Sequence, residues 1–265
     1  MIWWRAWIPV GRPRIGWKAL LLLAALIGTW ELYVDLGGAD PLILPAPHSV
    51  ASALYDDRSL LWSNFLVTAK EVLLGLVVAS VLGFALAAAM HFSRTIRQSV
   101  YPLAIGSQAI PVPAFASVLL LWLGFGLLPK LAVIALVCFF PIVVTTLAGL
   151  DSVDPDLLKL MRTFDAPRRR TFLRVELPSA LPGIFTGAKI AAAVAVIGAV
   201  FAELGSSTSG LGYIYAQSQD QLLMARAYAA ILILSLFAVV LFALLSIAER
   251  LALPWAYQSR GERSP

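Results

Sequence analysis

The chain has 265 residues, of which 60% are apolar and only 13% charged. A soluble domain of this length cannot hide so much apolar surface, and the apolar residues come in runs of roughly 17–25, the length a helix needs to cross a bilayer. The formal net charge of +5 does not point to nucleic acid, because the basic residues lie between apolar runs, as a topology signal does.

Six spans follow in chain order: about 18–34, 69–90, 101–125, 131–150, 183–204 and 227–251. The third is broken early by Pro111 and Pro113, and the fourth contains Pro141. At the start of the chain, a basic stretch followed by the run 20–27, within the first span, resembles a signal peptide. Thr29-Trp30-Glu31 stands where a small-residue cleavage site belongs, so the span is expected to be retained. Residues 35–64 form an outer connector punctuated by Pro41, Pro45 and Pro47, with a short interfacial helix expected over 49–61.

Orientation follows from the Lys and Arg residues. Arg5, Arg12, Arg14 and Lys18 precede the first span, and Arg94 and Arg97 follow the second. Lys159, Arg162, Arg168, Arg169, Arg170 and Arg174 follow the fourth, and Arg250, Arg260 and Arg263 follow the sixth. With six alternating spans all of these share one side, leaving Arg58, Lys70, Lys130 and Arg226 on the other. The positive-inside rule then places both termini in the cytoplasm.

Small residues recur every fourth position in the second span (Gly75, Ala79, Gly83, Ala87) and in the fifth (Gly183, Gly187, Ala191, Ala195, Ala199). Such faces let helix backbones approach closely in lipid, where apolar burial gives little drive for association. The fifth span is therefore expected to be central, its small face serving helix packing or lining a pathway. Lys189, in this span, either snorkels to the interface, the favoured reading, or pairs inside the bundle. Glu203, at its outer end, either faces a vestibule or meets water. The stretch from Gly205 to Tyr213 is rich in glycine and hydroxyl residues, which predicts a tight non-helical loop, either a gate or a surface turn. Glu203, Ser206, Ser207, Gly210, Gly212 and Tyr213 are the pathway or gate candidates. His48 and His91 stand alone in the sequence, and the single Cys138 sits in an apolar run, so neither a metal site nor a disulfide framework is expected.

The polar stretch from Asp154 to Pro178 holds six of the chain's 20 Lys and Arg residues. Asp154 is a helix N-cap with Pro155 at the first helical position, where its missing N–H costs nothing. Asp156 suits the positive end of the helix dipole, and Lys159 and Arg162 the negative end. Leu157, Leu160, Met161 and Phe164 recur at helical spacing and make one apolar face. Pro167 interrupts the pattern, and a second short helix is expected over 168–176. An amphipathic helix of this kind lies on the lipid surface or docks into a groove on a soluble partner.

This stretch resembles the cytoplasmic loop of permease subunits in binding-protein-dependent ABC importers. That family's pattern is Glu-Ala-Ala, three residues, Gly, nine residues, Ile, any residue, Leu-Pro. Anchored on Leu177-Pro178, the hydrophobic position falls on Val175 and fits. The Gly position falls on Asp165, and the Glu-Ala-Ala positions fall on Lys159, Leu160 and Met161. The turn must then be made without glycine, through Asp165, Ala166 and Pro167. Other pieces match in order. Leu44-Pro45-Ala46-Pro47 resembles the family's outer start, and Ile110-Pro111, Ala114 and the run 121–126 resemble its third span. Ala202-Glu203 followed by Gly210-Leu211-Gly212-Tyr213 resembles the branch serving nitrate, sulfonate, taurine and thiamine-precursor pyrimidines, as does the C-terminal 249–255. The likeness covers roughly 40–256.

The resemblance implies an all-α transmembrane fold of the type I importer permease kind, a six-helix polytopic bundle with a cytoplasmic coupling-helix loop. Its parts are a tail over 1–17, a permease domain over 18–256 with the coupling loop at 151–182, and a tail over 257–265. It implies two permease chains, a cytoplasmic ATPase dimer and an extracytoplasmic substrate-binding protein, in a prokaryotic inner membrane. Leu157, Lys159, Leu160, Met161, Phe164, Asp165 and Ala166 are then the ATPase-coupling residues. The chain has no Gly-rich Lys-Ser/Thr phosphate loop, so ATP and Mg are expected on the partner ATPase and no cofactor or metal in this chain. A small polar organic solute or anion is expected, with a slight lean to a pyrimidine. The competing readings are an ion-gradient-driven transporter, which needs mid-membrane ionisable residues, and a non-transport scaffold.

Overall fold

The computed structural model describes residues 17–255, the side chain of Ser206 excepted. Both tails, with Arg5, Arg12, Arg14, Arg260 and Arg263, lie outside the described residues. The helices are α1 (Trp17–Asp35), α2 (Pro47–Asp56), α3 (Arg58–Phe92), α4 (Arg94–Gly106), α5 (Val112–Leu123), α6 (Leu127–Asp151), α7 (Pro155–Thr163), α8 (Arg168–Thr171), α9 (Leu177–Ser206), α10 (Leu211–Asp220) and α11 (Met224–Ala252). A 3₁₀ turn, Ser107–Ala109, follows α4, and a π-helical turn, Phe172–Glu176, joins α8 to α9. Among the described residues five helices are long and apolar enough to cross a membrane, or six if α4 and α5 together count as one bent span.

Three boundaries differ from the sequence reading. The expected interfacial helix at 49–61 is α2, which ends at Asp56, and from Arg58 a separate helix, α3, runs unbroken for 35 residues with no proline in it. The third span is bent by 105° rather than merely broken. Pro111 disfavours the helical region for the residue before it, and Ile110 and Pro111 are extended, while Pro113 sits in the first turn of α5, where its missing N–H costs nothing. The expected loop at 205–213 is shorter: α9 continues through Ser206 and α10 begins at Leu211, so Gly212 and Tyr213 are helical.

The bundle is built around α6. On one side α3 runs parallel to it, with Glu71 opposite Lys130, Gly75 opposite Ile134, Gly83 opposite Ile142 and His91 opposite Asp151. On the other side α9 runs antiparallel, with Ala180 against Gly149, Gly183 against Thr145, Gly187 against Ile142 and Gly198 against Ile134. A Cβ on Gly183 would come within 2.6 Å of the Thr145 carbonyl oxygen, and one on Gly187 would strike the Thr145 hydroxyl and crowd the backbone of Pro141 and Ile142. Ala191, Ala195 and Ala199 are fully buried in the same seam, and Cys138 Sγ donates to the Ala191 carbonyl at 3.3 Å. The small face of α9 is filled by α6, which is what close backbone approach requires. α11 and α10 pack on the other side of α9, and α2 packs on α11. The bidentate pair of Arg226 with Asp57, at 2.7 and 2.8 Å, ties the start of α11 to the α2–α3 junction.

Polar contacts between α3 and α6 occur at two levels, Glu71 with Lys130 and His91 with Asp151. The levels are 20 residues apart on α3, or about 30 Å at 1.5 Å per residue, the thickness of a bilayer's hydrocarbon core. The seam makes a contrast between two glycines. Gly187→Val should destabilise the protein by about 1–3 kcal/mol through overpacking against α6, read as a lower melting temperature in detergent. Gly28→Val, on α1 with nothing within 4 Å of its Cβ position, should leave the melting curve unchanged.

Candidate functional site

At the end of the bundle where α6 gives way to α9, α7 is built as its sequence dictates. The Asp154 carboxylate accepts from the Asp156 N–H at 2.8 Å, and Lys159 pairs with Asp156 at 2.8 Å. None of its residues is buried. Leu157, Leu160 and Phe164 are exposed along one stripe, Phe164 most of all at 73%, while Met161 and Ala166 are half-buried. The helix ends with Asp165 at φ +47°. The Asp165 N–H bonds the Arg162 carbonyl at 3.0 Å, and the Ala166 N–H bonds the Met161 carbonyl at 3.1 Å. This is the double hydrogen bond that usually closes on a left-handed glycine. Aspartate is among the few other residues that tolerate that conformation, so the turn is made at the position where the family pattern has Gly.

The loop is pinned at both ends by a residue the sequence reading left isolated. His91 Nδ1 lies 3.4 Å from Asp151 Oδ1, at the end of α6, and Nε2 lies 3.2 Å from Glu176 Oε2, at the start of α9. Arg97 of α4 also pairs with Asp151 at 2.8 Å. Beside them Phe92 stacks with Phe172 at 4.9 Å, and the Arg168 guanidinium lies 5.1 Å from the Phe92 ring. The exposed stripe of α7 thus stands on a loop whose two feet are fixed to α3.

A second polar cluster sits at the opposite end, around Glu203, which is 1% exposed. The Thr68 hydroxyl donates to Glu203 Oε1 at 2.7 Å, and the Gly212 N–H donates to Oε2 at 2.6 Å. Thr68 Oγ1 in turn accepts the Leu211 N–H at 2.8 Å, and Asn64 Oδ1 accepts the Gly210 N–H at 2.7 Å. The first N–H groups of a helix lack internal partners and attract negative charge. Glu203, Thr68 and Asn64 therefore cap α10 from two neighbouring helices. The need for room explains the glycines. Gly210 has φ +111°, and a Cβ there would collide with the Glu203 carboxylate. A Cβ on Gly212 would lie 2.9 Å from Oε2 and 3.0 Å from the Val200 backbone. Next to this cap, Lys130 Nζ donates to Glu71 Oε1 at 2.6 Å and to Ser207 Oγ at 2.7 Å, and Ser207 Oγ bonds the Ser209 carbonyl. Tyr213 packs on the apolar core.

Glu203 thus meets neither a vestibule nor water in this conformation. Lys189 does not snorkel: its ammonium donates to Glu249 Oε2 of α11 at 2.7 Å. Glu71, Lys130 and Glu249 were missed as site residues. A charged residue inside an apolar run is the sequence signal for Glu71 and Glu249, whereas Lys130 reads from the sequence as one of the outer charges. Outside the spans, His48 of α2 bonds Glu31 of α1, and that bond raises the imidazole pKa.

The profile described as "Binding-protein-dependent transport system inner membrane component" matches residues 79–253. The chain belongs to that family. A "Probable ABC transporter permease protein" of Haemophilus influenzae is 36% identical over 217 residues, 82% of this chain and 89% of the relative. The "Formylaminopyrimidine transport permease protein ThiX" of Halalkalibacterium halodurans is 36% identical over 236 residues, 89% of this chain and 94% of the relative. A solved structure described as "Crystal structure of an amino acid ABC transporter with histidines" superposes with a TM-score of 0.60 at 17% identity, over 74% of this chain and 96% of that one. That likeness shows the fold alone, an all-helical bundle shared with a chain of that transporter.

The buried ion pair gives a two-step expectation for this permease. Lys130→Met leaves Glu71 buried without its cation and should cost about 3–5 kcal/mol of stability. Lys130→Met combined with Glu71→Leu should recover most of that loss, both read by thermal unfolding in detergent.

Proposed function

We propose that this permease, paired with a second copy, forms the solute pathway of an ATP-driven importer and is moved by a separate cytoplasmic ATPase dimer that docks on α7. The observation that carries the reading is the uncovered stripe of Leu157, Leu160 and Phe164 on a helix with no buried residue. An exposed apolar stripe on a short helix suits a groove on a soluble partner. Lys159, Met161, Asp165 and Ala166 complete the coupling surface, flanked by Arg162 and Arg168. ATP and Mg are bound by the ATPase, and an external binding protein delivers the solute.

In this reading α7 and both termini are cytoplasmic, which the charge asymmetry of the loops supports, and the Glu203 cluster is on the outer side. The permease domain spans 18–256, its coupling loop 151–182, and the tails 1–17 and 257–265 stay in the cytoplasm. The pathway or gate candidates Glu203, Ser206, Ser207, Gly210, Gly212 and Tyr213 then sit at the outer mouth, where the cap on α10 holds the loop at 207–210 shut. Exposed apolar side chains on α5 and after it, Leu121, Trp122 and Phe125, suit lipid or the second copy. The solute is a small polar organic molecule or anion (a pyrimidine-type thiamine precursor, a sulfonate such as taurine, or nitrate), and the pyrimidine is favoured, supported by the named relative from Halalkalibacterium halodurans.

Leu160→Asp and Phe164→Asp test the coupling role. Each should reduce solute uptake at least tenfold in cells while the chain reaches the membrane in normal amount. Uptake at the native level by both variants would remove α7 from the mechanism.

A further inference from the structure

α1 is attached to the bundle at one end. Its only buried residue is Val34, and Leu20, Leu21, Leu22, Leu23 and Leu26 are exposed. The described contacts lie in its last turns, where Trp30 approaches Tyr228 with ring centroids 6.3 Å apart and Glu31 meets His48.

That meeting point has the make-up of a metal site. Glu31 and Asp35 are four residues apart and so share a face of α1. His48 comes from the first turn of α2, behind Pro47. One ligand atom from each of the three lies within 4.8 Å of the others. The imidazole is already oriented: Nδ1 contacts Glu31 Oε1, and Nε2 lies 3.2 Å from Ser49 Oγ. The His48 backbone N–H donates to Glu31 Oε2 at 3.2 Å, which steadies the carboxylate. A partner on the second ring nitrogen is the arrangement that fixes a ligating histidine.

We propose that Glu31, Asp35 and His48 bind one divalent transition-metal ion of the zinc class, which staples the end of α1 to α2. The imidazole argues against calcium or magnesium, which take oxygen ligands. Two carboxylates and one imidazole leave a fourth tetrahedral position for water. The ion also relieves a cost in the bare site, since two like charges at this helical spacing repel each other. His48 and Asp35 are exposed, so the ion exchanges with the bath. The consequence is mechanical: α2 packs on α11, so a metal here fixes α1 to the rest of the bundle. This site is separate from α7 and from the Glu203 cluster, and its test does not depend on what the permease carries.

The test uses the full chain in detergent, with an affinity tag free of histidine, stripped by chelator and titrated with Co²⁺ as the visible probe. The wild type should take up one equivalent per chain with tetrahedral absorption bands that Zn²⁺ displaces. Asp35→Asn and His48→Gln should lose the bands, and His91→Gln, at the other carboxylate-flanked histidine, should keep them. Melting curves recorded without metal check that the variants are folded. Should His48→Gln fail to fold, Asp35→Asn decides, because Asp35 is exposed. No stoichiometric uptake by the wild type, or equal uptake by Asp35→Asn, overturns the site.

Discussion

The close approach of α6 to α9 is the contact on which the rest of the bundle depends. In lipid, apolar side chains gain little by leaving other apolar surroundings, so helices associate through dense packing and a few polar contacts. Gly183, Gly187 and Gly198 remove the side chains that would hold the two backbones apart, and Ala191, Ala195 and Ala199 extend the seam. On its other face α6 meets α3 by the same device, through Gly75 and Gly83. The outer elements then pack on this three-helix spine: α11 and α10 on α9, and α5 on α6 and α9.

Both candidate functional regions are ends of that spine. α7 lies between α6 and α9 in sequence, and His91 binds the last residue of α6 and the residue before α9 to α3. At the far end the same three helices supply Lys130, Glu71, Thr68, Asn64 and Glu203, which hold the loop and the start of α10. In the proposed mechanism a force applied to α7 reaches the Glu203 cluster through packed backbones, because a seam this tight cannot yield locally. In the conformation described here the N–H groups of Gly210, Leu211 and Gly212 are all capped. In the proposed mechanism, a second state in which the cap opens would be the two-state element that nucleotide on the partner ATPase biases.

Much of this was legible in the sequence because it rests on local rules. The apolar runs marked the spans, the four-residue spacing of small residues marked the seam, and Asp154-Pro155 marked the start of α7. The turn at Asp165 also fell where the family pattern has glycine, though only the backbone angle reveals how aspartate makes it. What could not be read were partnerships between distant positions. Lys189 finds Glu249 across 60 residues of chain, Lys130 finds Glu71 across 59, and Thr68 finds Glu203 across 135. A lone lysine in a span looks like a snorkelling one until the facing helix is known. From sequence Glu203 reads as a residue facing a vestibule or water, because the glycine- and hydroxyl-rich stretch that hides its cap target, the start of α10, reads as loop. The bend between α4 and α5 was signalled by Pro111 and Pro113, but its angle depends on how α5 packs on α6 and α9.

The central claim is that this chain is a permease driven through α7 by a separate ATPase. The most direct measurement is purification of the tagged chain from its native membrane in mild detergent, with identification and stoichiometry of what stays bound. The account predicts an ATPase carrying a Gly-x-x-x-x-Gly-Lys-Ser/Thr loop, present at one copy per permease chain. A chain recovered alone under several gentle conditions, while still active in uptake, would contradict it.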